Sequence, residues 1–167
     1  RFDRKPGNEL ALEEELSLKV VEGMAVNFQG EQLGRLGKSH IQDAEAYSLY
    51  KQAMNLANPP SDPGRLRVAG RVFDEVIAAA PDFAGGYAGA AYIHAFLTWW
   101  GHTESPDEES RKSLALANKA LELDPESGEA HASAGLAHLV REAFAGAERE
   151  LTKAIELKPT LFEAYYY

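Results

Sequence analysis

Ala120-Leu121-Glu122-Leu123-Asp124-Pro125 and Ala154-Ile155-Glu156-Leu157-Lys158-Pro159 repeat one pattern at a spacing of 34 residues. In both, an alanine stands five positions before a proline. Proline ends a helix, because it lacks an N–H and its ring pushes the preceding residue out of the helical region. A helix end recurring at this period marks stacked helix-turn-helix units. Each unit buries its apolar face only against its neighbours, so such chains build surfaces.

Working outward, apolar residues keep a helical period through most of the chain, and no stretch alternates with period two. The first unit has a helix near 42–57, a Pro- and Asp-rich loop from Asn58 to Gly64, and a second helix near 65–80 that stops at Pro81. Ala69 and Phe73 supply the Ala-x3-Phe of the tetratricopeptide-repeat signature. The second unit starts near Ala84, with Tyr87 at the large aromatic position. Its first helix runs to about Trp100. Gly101 and Pro106 bracket a polar loop, and Asp107 to Leu123 form the second helix. Ser105 suits the N-cap, with Pro106 at the first helical position. The third unit starts at Gly128, puts Gly135 at the signature glycine and Ala147 and Leu151 at the Ala-x3-Phe positions, and ends at Pro159. Phe162 to Tyr167 would open a fourth.

The expected fold is therefore all-α, a right-handed stack of helical hairpins of the tetratricopeptide type. Repeats are expected near 42–83, 84–127 and 128–161, with a partial fourth at 162–167. They make a domain over 40–167. Residues 1–39 form a junction segment in which Leu12, Leu16, Val20, Met24 and Phe28 give 9–28 an amphipathic helical pattern. Pro81 to Pro125 spans 44 residues, ten more than the period. The extra residues are expected between the two helices of the second repeat, around Trp99 to Glu109.

Composition narrows the function. A net charge of −9 opposes nucleic acid binding. Arg65, Arg67 and Arg71 are the local exception, read as a solvated helix face. No apolar run reaches the roughly 20 residues of a membrane span. The absence of cysteine removes disulfides and thiolate metal sites and fits a reducing cytoplasm. The chain opens at Arg1 without an initiator Met, which predicts a piece of a longer protein. No motif of the metalloprotease, P-loop or nucleophile-elbow type is present. His94, His131 and His138 fall on the signature's aromatic positions and read as packing residues; His40 and His102 fall in loops or at helix ends. The run Glu104, Asp107, Glu108 and Glu109 lacks the alternating donors of a calcium loop and suits a helix start. No catalytic residue, cofactor or metal is expected.

In this architecture positions 2, 5, 9 and 12 of each repeat face the concave groove. These are Tyr47, Tyr50, Met54 and Ala57, then Gly85, Ala88, Tyr92 and Ala95, then Glu129, Ala132, Leu136 and Leu139. The surface is apolar and aromatic. It lacks the Lys, Asn and Arg with which related repeats grip the acidic tails of heat-shock chaperones. It suits an extended or helical peptide with apolar anchors. Segment 9–28 or a second copy of the chain would fill it equally well, the latter making a homodimer. Trp99 and Trp100 lie about 100° apart on a helix, which leaves one as a contact anchor.

Several segments also resemble a bacterial family. Arg1-Phe2-Asp3-Arg4 followed by Leu10-Ala11-Leu12-Glu13-Glu14-Glu15-Leu16 resembles the junction of multidomain regulators, where an Arg-Tyr-Asp-Arg stretch closes a small α/β domain ahead of tetratricopeptide repeats. Ala44-Glu45-Ala46-Tyr47-Ser48-Leu49-Tyr50 is similar to the family's first repeat helix. Glu129 to Gly135 and Ala145 to Leu151 are similar to its third repeat. The resemblance implies the regulatory C-terminal region of a class III adenylate/guanylate cyclase-like protein. The same tail on a winged-helix transcriptional regulator is the alternative. The cyclase's metal-binding aspartates and purine-selecting pair have no counterparts here. Phe2 in place of Tyr and the Gly-rich stretch 30–37 depart from the family pattern. A small-ligand sensor using the groove is the reading from a different class, supported by Glu129, Tyr47 and Tyr92.

Overall fold

The computed structural model divides the chain into two compact units, Arg1–Lys38 and Ser39–Tyr167. It describes residues 43–58, 60–161, 164, 165 and 167. The amphipathic pattern at 9–28 and the Gly-rich stretch after it lie outside the described residues, as does His40. The described part of the second unit is helical throughout: α1 (Ala44–Ala57), α2 (Pro63–Ala79), α3 (Ala84–Trp99), α4 (Pro106–Leu123), α5 (Gly128–Leu139) and α6 (Phe144–Leu157). Ala164 and Tyr165 are helical again, where the fourth repeat was expected. Each odd-numbered helix packs on the even-numbered one after it, and α2 and α4 pack on the next hairpin.

Local chemistry sets the starts. Asp43 accepts from the Ala46 N–H at 2.8 Å, and Ser127 from that of Ala130 at 3.1 Å. Asp62 accepts from the Gly64 N–H at 2.7 Å, with Pro63 already helical, so α2 begins two residues earlier than the apolar pattern suggests. Ser105 holds the N-cap position of α4 without a side-chain capping bond. Pro106 and the carboxylates of Asp107, Glu108 and Glu109 favour that start instead.

The ends are alike. Ala80, Asp124 and Lys158, the residues before the three prolines, have φ of −137°, −141° and −140° and ψ of 75°, 91° and 82°. All three lie outside the helical region, from which a following proline excludes its predecessor. Each donates its N–H four residues back, to Val76, Ala120 or Ala154, at 2.8–2.9 Å. Pro81, Pro125 and Pro159 thus end the three hairpins by one mechanism.

The core runs through the stack. Leu66, Phe73, Ile93 and Leu136, from three different helices, are almost wholly buried in one cluster. Between α3, α4 and α5 the contacts are made by alanines: Ala91, Ala117 and Ala134 in one group, Ala88, Ala120 and Ala130 in another. Such small side chains bring the backbones close. The Ser113 hydroxyl then reaches the Ala91 carbonyl at 2.8 Å, and the Ser133 hydroxyl the Ala88 carbonyl at 2.9 Å. Gly135 marks another close approach, since a Cβ there would stand 2.6 Å from Leu151 Cγ.

The ten extra residues of the second hairpin differ from the loop insertion expected. Helix α3 has 16 residues against 12 in α5, and α4 has 18 against 14 in α6. Only two of the ten lengthen the turn; the rest extend both helices by about a turn. Gly101, with φ of 68°, closes α3. Its N–H bonds to the Thr98 carbonyl at 3.0 Å and that of His102 to the Leu97 carbonyl at 2.8 Å, the paired bonds of a Schellman end.

Candidate functional site

The twelve groove positions separate by burial. Ala57, Ala88, Ala95, Ala132 and Leu136 are buried and offer almost no side-chain surface. Ala88 packs against Ala120 and Ala130, and Ala132 against Ala154 and Ala164, so these residues shape the floor and cannot contact a partner. Gly85, Tyr50, Tyr92, Glu129 and Leu139 are half-buried. Tyr47 and Met54 stand out at 52% and 43% exposure.

The first and third hairpins meet electrostatically at Tyr50. Its ring stands edge-on to Phe83 at 5.1 Å and to Phe73 at 6.2 Å. Burial raises its hydroxyl pKa, and the charges of Glu129 and Tyr47 add to the rise. Glu129, the groove's carboxylate, is paired with Lys158. Helix α3 carries no Asp, Glu, Lys or Arg, and α5 carries only Glu129 of these. Lys51 is the sole Lys or Arg on α1, α3 and α5; the described arginines and other lysines lie on α2, α4, α6 or the turns.

An aromatic ladder climbs α3. Tyr92 and Phe96 have ring centroids 5.5 Å apart, and Phe96 and Trp100 5.9 Å. At the lower end the Tyr92 hydroxyl shares a 3.4 Å hydrogen bond with that of Tyr167. At the upper end Trp99 and Trp100 are 50% and 53% exposed. Sequence reasoning left one of the two to a core; both are half-exposed.

The other candidates receive structural roles. Arg65 donates to the Asn55 carbonyl at 2.9 Å and Arg67 to the His102 carbonyl at 2.8 Å, while Arg71 is exposed. Arg65 therefore ties the last turn of α1 to α2, and Arg67 ties the α3–α4 turn to it. His138 packs its ring on Gly146, but the other two histidines are polar latches, which sequence reasoning missed. His94 pairs with Glu109 between α3 and α4, and His131 with Glu150 between α5 and α6 at 2.8 Å. His131 Nε2 also bonds the Pro125 carbonyl at 3.0 Å. Its two ring nitrogens thus face a carboxylate from α6 and a carbonyl from the preceding repeat's end. Burial alone would raise the Glu150 carboxyl, but hydrogen bonds from His131 and Arg149 and their charges hold it below its ordinary value. Tyr87 stands at the same repeat position as His131 and donates to the Pro81 carbonyl at 3.1 Å. No group of three His, Cys, Asp or Glu suited to a metal occurs among the described residues, and none of their helices is long and apolar enough to cross a membrane.

No protein-family model matches this chain, and no curated protein does. Solved structures do. The first TPR domain of the human RPAP3 protein, an NMR structure, aligns over 72% of this chain and 84% of its own with a TM-score of 0.57 and 17% identity. The first TPR of Spaghetti (RPAP3), bound to the HSP90 peptide SRMEEVD, aligns over 76% and 90% with a TM-score of 0.58 and 17% identity. The fold is that of a tetratricopeptide-repeat domain. The hairpins α1–α2, α3–α4 and α5–α6 follow one another in the order expected of three repeats, and the twelve positions expected to face a groove lie on α1, α3 and α5.

Proposed function

We propose that the repeat domain is a non-catalytic module that binds a protein or peptide partner through the face made by α1, α3 and α5. One observation carries this reading. Accessible aromatic and apolar side chains (Tyr47, Tyr50, Met54, Tyr92) stand on a floor of buried alanines, and the three helices beneath them carry no cation at a groove position. Such a surface favours apolar anchors. It is a poor receptor for an acidic peptide. The structural neighbour holds SRMEEVD, which has three carboxylate side chains, whereas the twelve groove positions here include one acidic residue, already paired with Lys158, and no arginine or lysine.

The segments that resemble cyclase-like regulators support a finer reading: the module is the regulatory region of a cytoplasmic signalling protein of that kind, acting through a partner or a second copy. The small-ligand reading has less support, since Glu129 is already paired with Lys158.

Amide chemical-shift mapping tests the groove. A peptide with Leu and Phe anchors should perturb Tyr47, Met54 and Tyr92, and SRMEEVD should perturb nothing. Joint replacement Tyr47→Ala and Met54→Ala, both exposed, should weaken binding about tenfold. Equal binding of SRMEEVD, or shifts confined to α2, α4 and α6, would sink the proposal.

A further inference from the structure

Both tryptophans of the chain lie at one point of the fold, the tip of the α3–α4 hairpin. That hairpin is longer than the α5–α6 hairpin by about a turn in each helix, so the tip extends past the level at which α5 ends. Each indole is half-exposed, although apolar surface of this size is ordinarily covered.

The tip is held in place. Trp100 stacks on the buried Phe96, the Schellman bonds at Gly101 and His102 fix the turn, and Arg67 ties the His102 carbonyl to α2. A surface ordered in advance loses little freedom on binding. The His94–Glu109 pair sets the register of the two helices. Asp107 and Glu108 lie in the first turn of α4 and Trp99 closes α3, so the carboxylates and the indoles stand at the two ends of one short connection. Glu104 lies in the turn between them. These three carboxylates are exposed and form no ion pair among the described residues. Arg67 is the cation bonded to the turn, while Arg111 and Lys112 stand a turn further along α4. The tip thus joins two indole faces to a net negative rim.

We infer that the hairpin tip is a second docking surface, which takes a cationic segment of a partner by laying Lys or Arg side chains over Trp99 and Trp100 within the carboxylate rim. A cation over an indole face is attracted by the ring quadrupole, and indole is the strongest side-chain partner for it. The carboxylates add attraction and steering that salt weakens. This surface is distinct from the groove and does not require the groove to bind anything.

Because the chain has no other tryptophan, indole emission reports the tip directly. An amphipathic peptide of Leu and Lys, titrated into the full chain, should shift and quench that emission. The version with Glu for Lys should leave it unchanged. Affinity measured by calorimetry should fall at least tenfold between about 50 mM and about 500 mM salt. Trp99→Ala and Trp100→Ala should each weaken it about fivefold, and Glu104→Gln with Glu108→Gln similarly. All four side chains are exposed, so an unchanged melting temperature will show that the fold is intact. Unaltered emission with the Leu-Lys peptide, equal binding of the Glu version, or full affinity in the tryptophan variants would overturn the inference. So would an emission shift that depends on protein concentration alone, since the occupant would then be a second copy.

Discussion

The hairpins α3–α4 and α5–α6 solve one packing problem with different volumes. Ala91 and Gly135 share a repeat position on the first helix, and Ala117 and Leu151 share one on the second. In the α3–α4 hairpin alanine meets alanine. In the α5–α6 hairpin glycine makes room for leucine, whose Cγ would stand 2.6 Å from any added Cβ. Where the second helix brings a large residue the first has no side chain at all, so the signature glycine and its leucine act as a matched set. The two first helices also close by the same bonds from different residues. Gly101 and Glu142 both take left-handed backbone, with φ of 68° and 58°. Glu142 donates to the Leu139 carbonyl at 2.9 Å and Ala143 to that of His138 at 2.9 Å, matching the bonds at Gly101 and His102.

The matched volumes offer the most severe way to break the comparison. Gly135→Val should destabilise the domain by about 3 kcal/mol, because it overpacks the contact with Leu151. Adding Leu151→Ala should restore part of that loss, so that the two effects are strongly non-additive in a denaturant-melt cycle. Additive losses would show that the positions do not share one volume.

The latches give an intermediate effect. His131→Tyr reproduces Tyr87, keeping a donor for the Pro125 carbonyl while removing the one for Glu150. It should cost about 1 kcal/mol. The pH dependence has a definite sign. The Glu150 carboxyl sits below its ordinary 4.5 in the folded chain, so its contribution is complete above that pH and is lost as pH falls through the lower folded-state value. Melting temperatures measured between about pH 6 and about pH 3 should drop less steeply in Glu150→Gln than in the parent chain. An unchanged slope would remove Glu150 from the acid response.

The smallest effects concern the turns. Gly101→Ala should cost about 1 kcal/mol, and Glu142→Gly should gain up to about 1 kcal/mol, since only glycine adopts left-handed backbone without strain. Shifts of the same sign would mean that tertiary contacts, rather than backbone strain, set the two ends.

The stack was legible because its signals are local. Proline dictates the conformation of its predecessor wherever it stands, so Pro81, Pro125 and Pro159 could be read as helix ends without knowing any contact. The latches were not legible. His131 meets Glu150 across 19 residues and two helices, and nothing in either neighbourhood marks the pairing. The same holds for Arg67 and His102, 35 residues apart. The composition of the expected groove positions could be read from helical spacing, but which of them are buried could not. Ala88 and Met54 both fall on groove positions, and only the packing of α3 on α4 and α5 buries the former. The extra residues of the second hairpin looked like a loop because Gly101 and Pro106 punctuate them. They became helix because both sides continue a helical period up to that punctuation.

The bonds from Tyr87 to the Pro81 carbonyl and from His131 to the Pro125 carbonyl each span six residues and cross the border between one repeat and the next. A unit running from just after one proline through the next therefore carries a donor near its start and, at its end, the acceptor that fits the donor of the following unit. Tyr165 stands six residues beyond Pro159, in the same relation. Copies of such a unit join head to tail with their junction already specified, so duplication of a single stretch of coding sequence lengthens the array without inventing a new interface.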